Sequence, residues 1–559
     1  MKRFPPLNPF DSSRYVGAVF EIEPASAKVV LSTLDPHLVE VGKFVVIDCG
    51  DTVLFARIAS ISSPRPLETA APANHGSAGS TTATIDLLTT IDTDGGNAMR
   101  GIQAYPHPES RVYAAPPELL QWLFECNQAR VTGDEDKPIM LNLISLGDGI
   151  EVGLSPERTF GRHCAVLGAT GVGKSWTLAK LLEEASRYSS KMILVDSSGE
   201  YHTLALPGVR HVHIGADPSG REQVEEVAMP YFDLTESDMF ALFKPTGPTQ
   251  PVKLRAAIKS LKLSRVPHLS TGGVVMKAGK LKAPFEAAMI AKARELNDPR
   301  ANFDITKLPA QIDAECVFPV GGFASQPDPT RFGAPNELER SNCINLITRI
   351  EDMLNAPELA CVFRPGKTRP IFDEIDNFIE DPEAKVLRIS LKFLPFSHDA
   401  REIIANALGR RMLDMARRGR FDNSPVVLVL DEAHYFLNRE FNEETSIDGL
   451  NSFELIAKEG RKLSLCFCLA TQRPRDIPEG ILSQIGTLII HRLNNQMDRV
   501  AVESASSGAD QSVMSFVPGL AEGQAVIIGA DLPLPLPVRI IRPTYPPHSR
   551  GADYQRQWR

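Results

Sequence analysis

The feature that most constrains this chain is the stretch GATGVGKS, which runs from Gly168 to Ser175. It fits the pattern G-x-x-x-x-G-K-[ST] and lies between an apolar strand-like run, HCAVLG, and a helix-like run, KSWTLAKLLEEASRY. In that strand–loop–helix context, glycines allow backbone N–H groups to wrap a β-phosphate. The stretch therefore predicts a P-loop in an α/β nucleotide-binding core.

The residues of this loop have separate expected tasks. Lys174 should reach the β- and γ-phosphates, and Ser175 should ligate Mg²⁺. The predicted nucleotide-binding set comprises the whole loop and the residue after it: Gly168, Ala169, Thr170, Gly171, Val172, Gly173, Lys174, Ser175 and Trp176. The rest of the chain must show what the nucleotide is used for.

Two further apolar runs end in residues suited to hydrolysis. VVLVLDE places Asp431 at the carboxyl end of a strand, where it can hold Mg²⁺, and Glu432 beside it can polarise an attacking water. An adjacent acidic pair is also compatible with helix capping. In LATQRP, Gln472 is a candidate γ-phosphate sensor, or simply a polar strand end. No guanine-reading N-K-x-D sequence occurs, so ATP is favoured over GTP.

Three arginines lie in motifs that follow these strands. They are Arg461 in KEGRK, Arg473 in TQRP and Arg492 in HRL. One of them could act as an arginine finger in the site of a neighbouring subunit. A surface ion pair explains each of them equally well.

The chain changes character near residue 150. Residues 14–115 contain short β-branched apolar runs, which predict a small β-barrel, and residues 1–150 are assigned to that domain. From 151 to 545, apolar strands alternate with helices and predict a parallel sheet covered on both faces. Helical segments within about 205–420 predict an inserted helical subdomain, and 546–559 form a tail.

Composition excludes some classes of protein. The net charge of −9 argues against a chain whose whole surface coats nucleic acid. No run of 18 apolar residues occurs, and the start, MKRFPPLNPF, has prolines where a signal peptide needs its apolar segment. The eight cysteines form no C-x-x-C pair and indicate reduced core thiols without a metal site. We therefore predict a cytoplasmic protein without a membrane segment.

A basic segment stands apart from this acidic background. Residues 244–282 contain nine Lys or Arg residues and no Asp or Glu. One interpretation is a solvated helical face, and the other is a surface that contacts DNA phosphates without reading sequence. The basic residues are Lys244, Lys253, Arg255, Lys259, Lys262, Arg265, Lys277, Lys280 and Lys282.

Several motifs together resemble one family. GATGVGKS, ILVDSSGEY, LDEAHYF, KEGRK and ATQRP, followed by LSQIGT and HRL, occur in this order. The combination resembles the HerA family of bacterial and archaeal DNA-translocating ATPases, part of the larger group that includes the FtsK motors and conjugation ATPases. The likeness covers about 160 to 545, and the N-terminal β segment is similar in position and type to that family's barrel.

The resemblance implies a fold and an assembly. The expected fold class is α/β, with a RecA-like (ASCE) P-loop ATPase core, an inserted helical subdomain and a preceding β-barrel. It implies a homohexameric ring with ATP at subunit interfaces and double-stranded DNA in the pore. Asp196 and Glu200 match an acidic pair of the family whose roles are open. GADLPLPLPVRIIRP is similar to a tail that straps onto a neighbouring subunit.

The expected function is that of an ATP-driven DNA translocase or helicase. The resemblance implies a partner encoded nearby, either a nuclease of DNA end processing or a nuclease or NAD-hydrolysing effector of anti-phage defence. The alternative is a ring scaffold that uses ATP to assemble and regulate an effector without processive movement. A coupling ATPase of conjugation or secretion is disfavoured by the lack of a membrane segment.

Overall fold

The computed structural model describes most of the chain and divides it into two compact units. The first unit comprises Met1–Glu184 with Gly486–Pro543, and the second comprises Ala185–Ile485 with Thr544–Arg559. The described residues are 10–50, 52–63, 80–92, 97–99, 101–125, 139–146, 151–218, 220, 224–266, 268–298, 303–323, 325–437, 451–505, 514–529, 536–548 and 554–558.

A closed β-barrel opens the first unit. Its six antiparallel strands follow the order β2-β1-β7-β3-β4-β5, and pairing of β2 with β5 closes it. Alternate β-branched side chains, among them Val45 and Ile47, fill its interior and confirm the predicted barrel. The strands are β1 (Tyr15–Ile22), β2 (Ser26–Leu31), β3 (Phe44–Asp48), β4 (Thr52–Ser62), β5 (Thr82–Asp92), β6 (Asn97–Met99), which pairs with β5, and β7 (Arg111–Ala114).

A second sheet of the first unit carries the P-loop. Its strands are β8 (Leu141–Ser145), β9 (Glu151–Leu154), β10 (Cys164–Leu167), β21 (Thr487–Ile490), β22 (Gln524–Gly529) and β23 (Leu536–Ile540). β10 runs parallel to β21, and the other pairs are antiparallel. The strand β8 lies before residue 150, within the range assigned to the barrel domain from sequence. It pairs with β23 instead, because strands that are distant in sequence can be neighbours in a sheet. The helices are α1 (Pro117–Glu125), α2 (Pro156–Phe160), α3 (Lys174–Ser186) and α15 (Gln496–Ala505).

The second unit contains a fully parallel sheet. Its order is β13-β12-β18-β11-β19-β20, and every residue of β11 is buried. Its strands are β11 (Lys191–Asp196), β12 (Val209–Ile214), β13 (Glu225–Val227), β18 (Val386–Ser390), β19 (Val426–Leu430) and β20 (Leu465–Thr471). The parallel sheet was predicted, but β12, β13 and β18 lie in the stretch interpreted as a helical insertion.

The remainder of that stretch is mainly helical, as predicted. Two short hairpins accompany the helices, β14 (Ser270–Thr271) with β15 (Val274–Val275) and β16 (Gly321–Phe323) with β17 (Gln326–Asp328). The second unit's helices are α4 (Glu236–Phe243), α5 (Gln250–Lys262), α6 (Lys282–Ala291), α7 (Ala293–Asn297), α8 (Leu308–Glu315), α9 (Glu337–Asn355), α10 (Ala360–Phe363), α11 (Ile371–Glu380), α12 (Ala400–Arg417), α13 (Ser452–Glu459), α14 (Glu479–Leu482) and α16 (Tyr554–Gln557).

Two findings bear on the expectations from composition. Within the described residues, none of the helices combines the length and the apolar character that crossing a bilayer requires. Seven cysteines fall in the described residues, all of them free thiols, and five of the seven are buried.

Candidate nucleotide site

The backbone of the P-loop requires its glycines. Gly171 and Gly173 have φ of +75° and +116°, in the region that side chains disfavour. At Gly168, an added Cβ would lie 2.7 Å from the Cβ of His491. The loop is thus a tightly turned segment that leads from the buried strand β10 directly into α3.

Lys174 is the first residue of α3 and is buried. Its Nζ donates a hydrogen bond of 3.0 Å to the carbonyl oxygen of Ala169, so the ammonium group folds back over the loop. The helix N-terminus adds unpaired backbone N–H groups and a partial positive charge. Loop, ammonium group and helix end together fit the phosphates of a nucleotide.

A buried histidine packs against the P-loop and forms hydrogen bonds beside it. Nδ1 of His491 lies 2.8 Å from the carbonyl oxygen of Gln524, and Nε2 lies 2.8 Å from Oγ1 of Thr177. A carbonyl only accepts, so this network assigns the proton to Nδ1 and makes Nε2 the acceptor for the Thr177 hydroxyl. The next residue also contributes, because the Arg492 carbonyl accepts from the Ala169 N–H at 2.9 Å. No sequence motif pointed to this role of His491.

Stability should depend on pH through His491. Burial, with the charge of Lys174 acting in the same direction, lowers the pKa of His491 to about 4, against about 6.5 in the unfolded chain. As pH falls from about 6.5 to about 4, His491 becomes protonated in the unfolded chain but stays neutral in the folded chain. The free energy of unfolding therefore falls by up to about 3 kcal/mol over this range. Urea denaturation of wild type and His491→Gln across this window should show a shallower pH dependence for the variant. Parallel curves would contradict the assignment.

The Asp431–Glu432 pair follows β19 in the second unit. Asp431 is buried, and its Oδ1 accepts a long hydrogen bond of 3.4 Å from the hydroxyl of Tyr201. Glu432 adopts a left-handed conformation with φ of 49° and ψ of 49°. Strained backbone at a non-glycine residue is concentrated at functional sites. The conformation therefore supports a functional role for Glu432 and argues against a simple helix cap.

The next strand brings the predicted sensor to the same edge of the sheet. β20 pairs in parallel register with β19, and Gln472 follows it as a half-buried residue. Nδ1 of His434 lies 3.3 Å from Oε2 of Glu432 and 3.2 Å from Oγ1 of Thr471. His434 thus links the ends of the two strands that carry Glu432 and Gln472.

The three arginines occupy different settings. Arg461 is exposed in the turn Gly460–Leu463, and Arg473 is exposed with Nη1 3.7 Å from Asp476. Arg492 belongs to the first unit, and its buried Nε has no hydrogen-bond partner among the described residues. The role of each as an arginine finger stays a prediction.

Asp196 organises the DSSGEY loop through hydrogen bonds. Asp196 is fully buried and accepts hydrogen bonds from the backbone N–H of Gly199 at 2.8 Å and of Tyr201 at 3.2 Å. Nε of Arg388 donates to the same carboxylate at 2.7 Å. Both oxygens of Asp196 are engaged, so this residue holds the loop. Glu200 is half-buried, and its carbonyl accepts from the N–H of His548 at 2.8 Å.

Many cations of the basic segment have partners within the second unit, and four of the nine form ion pairs with carboxylates. Acidic side chains and carbonyl oxygens from elsewhere in the second unit pair with most of its cations, which favours the structural interpretation over phosphate contact. The pairs are Lys244 with Asp399, Lys253 with Glu339, Arg255 with Glu236, Lys277 with Glu315, and Lys262 with the carbonyl oxygen of Asp298.

Comparison with known proteins connects this geometry to one family. Residues 142–276, which include the P-loop and the DSSGEY loop, match the family model described as "Helicase HerA, central domain". Over 447 residues the chain is 24% identical to the DNA double-strand break repair helicase HerA of Pyrococcus furiosus, covering 77% of this chain and 72% of that protein. The chain is similar to HerA helicases over most of its length.

Other matches of the chain agree with this similarity. It is 24% identical over 402 residues to the DNA double-strand break repair helicase HerA of Sulfurisphaera tokodaii, covering 71% of this chain and 68% of that protein. It is similar to the solved structure of VirB4 of Thermoanaerobacter pseudethanolicus at 13% identity and a TM-score of 0.43, covering 76% of this chain and 99% of that one. A likeness of that size adds nothing to the assignment. The chain is an ATP-hydrolysing enzyme with the α/β fold of the P-loop ATPases.

Proposed function

We propose that this protein is an ATP-driven DNA translocase or helicase of the HerA type. The observation that carries the proposal is the extended similarity to proteins named DNA double-strand break repair helicases, over 77% of this chain in one case. The chain carries residue types that ATP hydrolysis uses in P-loop enzymes, including a lysine at the start of α3 and an acidic pair after a buried strand. A strained Glu432 beside Asp431 supports work on ATP rather than nucleotide binding alone.

The finer proposal concerns the assembly and its partners. We propose a cytoplasmic homohexameric ring that encloses double-stranded DNA and works with an effector protein encoded nearby. That effector is a nuclease or an NAD-hydrolysing enzyme, in DNA end processing or in anti-phage defence. The motif order of the sequence supports the ring, and the names of the relatives support a DNA substrate.

Each proposed site residue has one task when ATP and Mg²⁺ are bound. ATP supplies the phosphoanhydride bond, and Mg²⁺ neutralises charge on its phosphate oxygens. Lys174 and the P-loop N–H groups would hold the β- and γ-phosphates, and Ser175 and Asp431 would hold Mg²⁺. Glu432 would orient and deprotonate the attacking water, and Gln472 would contact the γ-phosphate.

ATP hydrolysis with and without DNA tests the proposal. We expect linear duplex DNA to raise kcat several-fold, and the stimulation to weaken between about 50 and 200 mM salt because phosphate contacts are salt-dependent. Glu432→Gln is the blank, and Glu479→Gln, an exposed glutamate at the start of α14, is the matched control. Native mass measurement in the same samples tests the hexamer.

Two other outcomes would contradict parts of the proposal. Hydrolysis that ignores DNA but responds to a co-purifying protein would favour a ring scaffold that regulates an effector. Hydrolysis stimulated by DNA, without displacement of a triplex-forming strand from the duplex, would contradict translocation while retaining DNA binding.

A further inference from the structure

Tyr201 is fully buried, although its sequence is that of a surface loop. It lies in the turn Glu200–Thr203 that follows β11. Its hydroxyl points to Oδ1 of Asp431, which is 230 positions further along the chain. This buried contact joins two residues that are far apart in the sequence. It therefore indicates a specific orientation for the Tyr201 hydroxyl and for the Asp431 carboxylate, a proposed Mg²⁺ ligand.

Asp196 and Arg388 fix the backbone on which Tyr201 lies. Asp196 accepts from the N–H of Tyr201 itself and from that of Gly199, whose φ is +83°. A Cβ at Gly199 would lie 2.6 Å from Cδ of Lys392, so the loop packs closely against the segment after β18. Arg388 is fully buried and balances the charge of Asp196. The hydrogen bonds of Asp196 therefore fix the backbone position from which the Tyr201 ring extends.

A second buried arginine ties the same loop to the segment after β18. Nη1 of Arg401 donates to the carbonyl oxygen of Ser197 at 3.0 Å, and Nη2 donates to those of Lys392 and Leu394 at 3.0 and 2.7 Å. Its guanidinium carbon also lies 3.7 Å from the ring centroid of Phe396. Two arginines from separate elements thus restrict movement of the DSSGEY loop.

We propose that Tyr201 is a positioning residue for Mg²⁺: its hydroxyl donates to Oδ1 of Asp431 and fixes the orientation of the carboxylate that would hold the metal. The proposal rests on the proposed function, in which Asp431 holds Mg²⁺. The distance of 3.4 Å is long for a hydroxyl donor, and hydrogen bonds at catalytic sites are often long without substrate and tighten in the substrate complex. A hydrogen bond that aligns a metal ligand typically changes metal affinity or activity tenfold or more when it is removed.

Tyr201→Phe tests this proposal because it removes the hydroxyl and retains the buried ring. We expect the half-saturating free Mg²⁺ concentration for ATP hydrolysis to rise roughly tenfold, with ATP affinity measured in EDTA unchanged. The matched control is Tyr231→Phe, because the Tyr231 hydroxyl is half-buried and donates to the carbonyl oxygen of Phe303 within the helical insertion. That control should leave the Mg²⁺ dependence as it is in the wild type.

Binding data separate failure of this inference from failure of the proposed function. Calorimetry of ATP with and without Mg²⁺ measures the gain in affinity that the metal confers, and it requires no hydrolysis. A reduced gain in Tyr201→Phe alone supports the inference even if the wild type proves indifferent to DNA. The same gain in wild type, Tyr201→Phe and Tyr231→Phe would overturn it, as would equal Mg²⁺ dependence with a lowered melting temperature, which indicates packing only.

Discussion

Glu432→Gln is expected to lower kcat for ATP hydrolysis by at least about a hundredfold, because a positioned general base contributes between 10² and 10⁴ in rate. The amide preserves the size of the side chain but cannot accept the proton of the attacking water. The left-handed backbone at Glu432 should be retained, since it is set by the ends of β19 and the following turn Ala433–Tyr435. ATP binding should therefore stay within a factor of about three.

Single-turnover hydrolysis and equilibrium binding of ATP separate these two effects. Glu479→Gln carries the same change at an exposed position and should retain wild-type kcat. His434→Ala is an informative companion, because His434 contacts both Glu432 and Thr471. It should lower kcat by less than Glu432→Gln does. A Glu432→Gln variant with kcat near that of wild type would assign the base to another residue.

The parts of the fold that the sequence predicted are those encoded locally. The P-loop joins an apolar strand to a helix within a few residues, and the barrel strands alternate β-branched residues over short spans. The family resemblance then supplied the type of core. Both predictions needed no knowledge of which distant segments meet.

The parts that were missed depend on contacts between distant segments. β18 was not recognised because Arg388 interrupts its apolar pattern VLRIS, and burial of that charge makes sense only once Asp196 lies beside it. His491 and Tyr201 likewise act through partners 314 and 230 positions away. No local pattern announces such partners.

The basic segment is a second case in which contacts between distant residues could not be predicted from the sequence. Counting charges along the chain isolates 244–282, whereas folding brings Glu315, Glu339 and Asp399 to its lysines. A one-dimensional cluster of cations therefore gives no measure of the local field.

Arg388→Met is expected to reduce the free energy of unfolding of the second unit by about 3–5 kcal/mol. Arg388 and Asp196 are both fully buried, with no access to solvent. Removal of one partner leaves a buried charge without compensation, which costs far more than the pair itself contributes. Urea denaturation followed by circular dichroism measures the change. Arg417→Met is the matched control, because Arg417 and Glu459 form a half-exposed pair worth at most about 1 kcal/mol.

A double variant distinguishes loss of charge balance from loss of packing. Arg388→Met with Asp196→Asn removes both charges, and the amide oxygen can still accept from one of the two N–H groups, that of Gly199 or that of Tyr201. If the uncompensated carboxylate is the cause, the double variant should be more stable than Arg388→Met alone. Equal losses in both would assign the effect to packing of the arginine side chain. Because Asp196 also holds the backbone of Tyr201, the single variant should further raise the Mg²⁺ requirement of hydrolysis, whereas Arg417→Met should not.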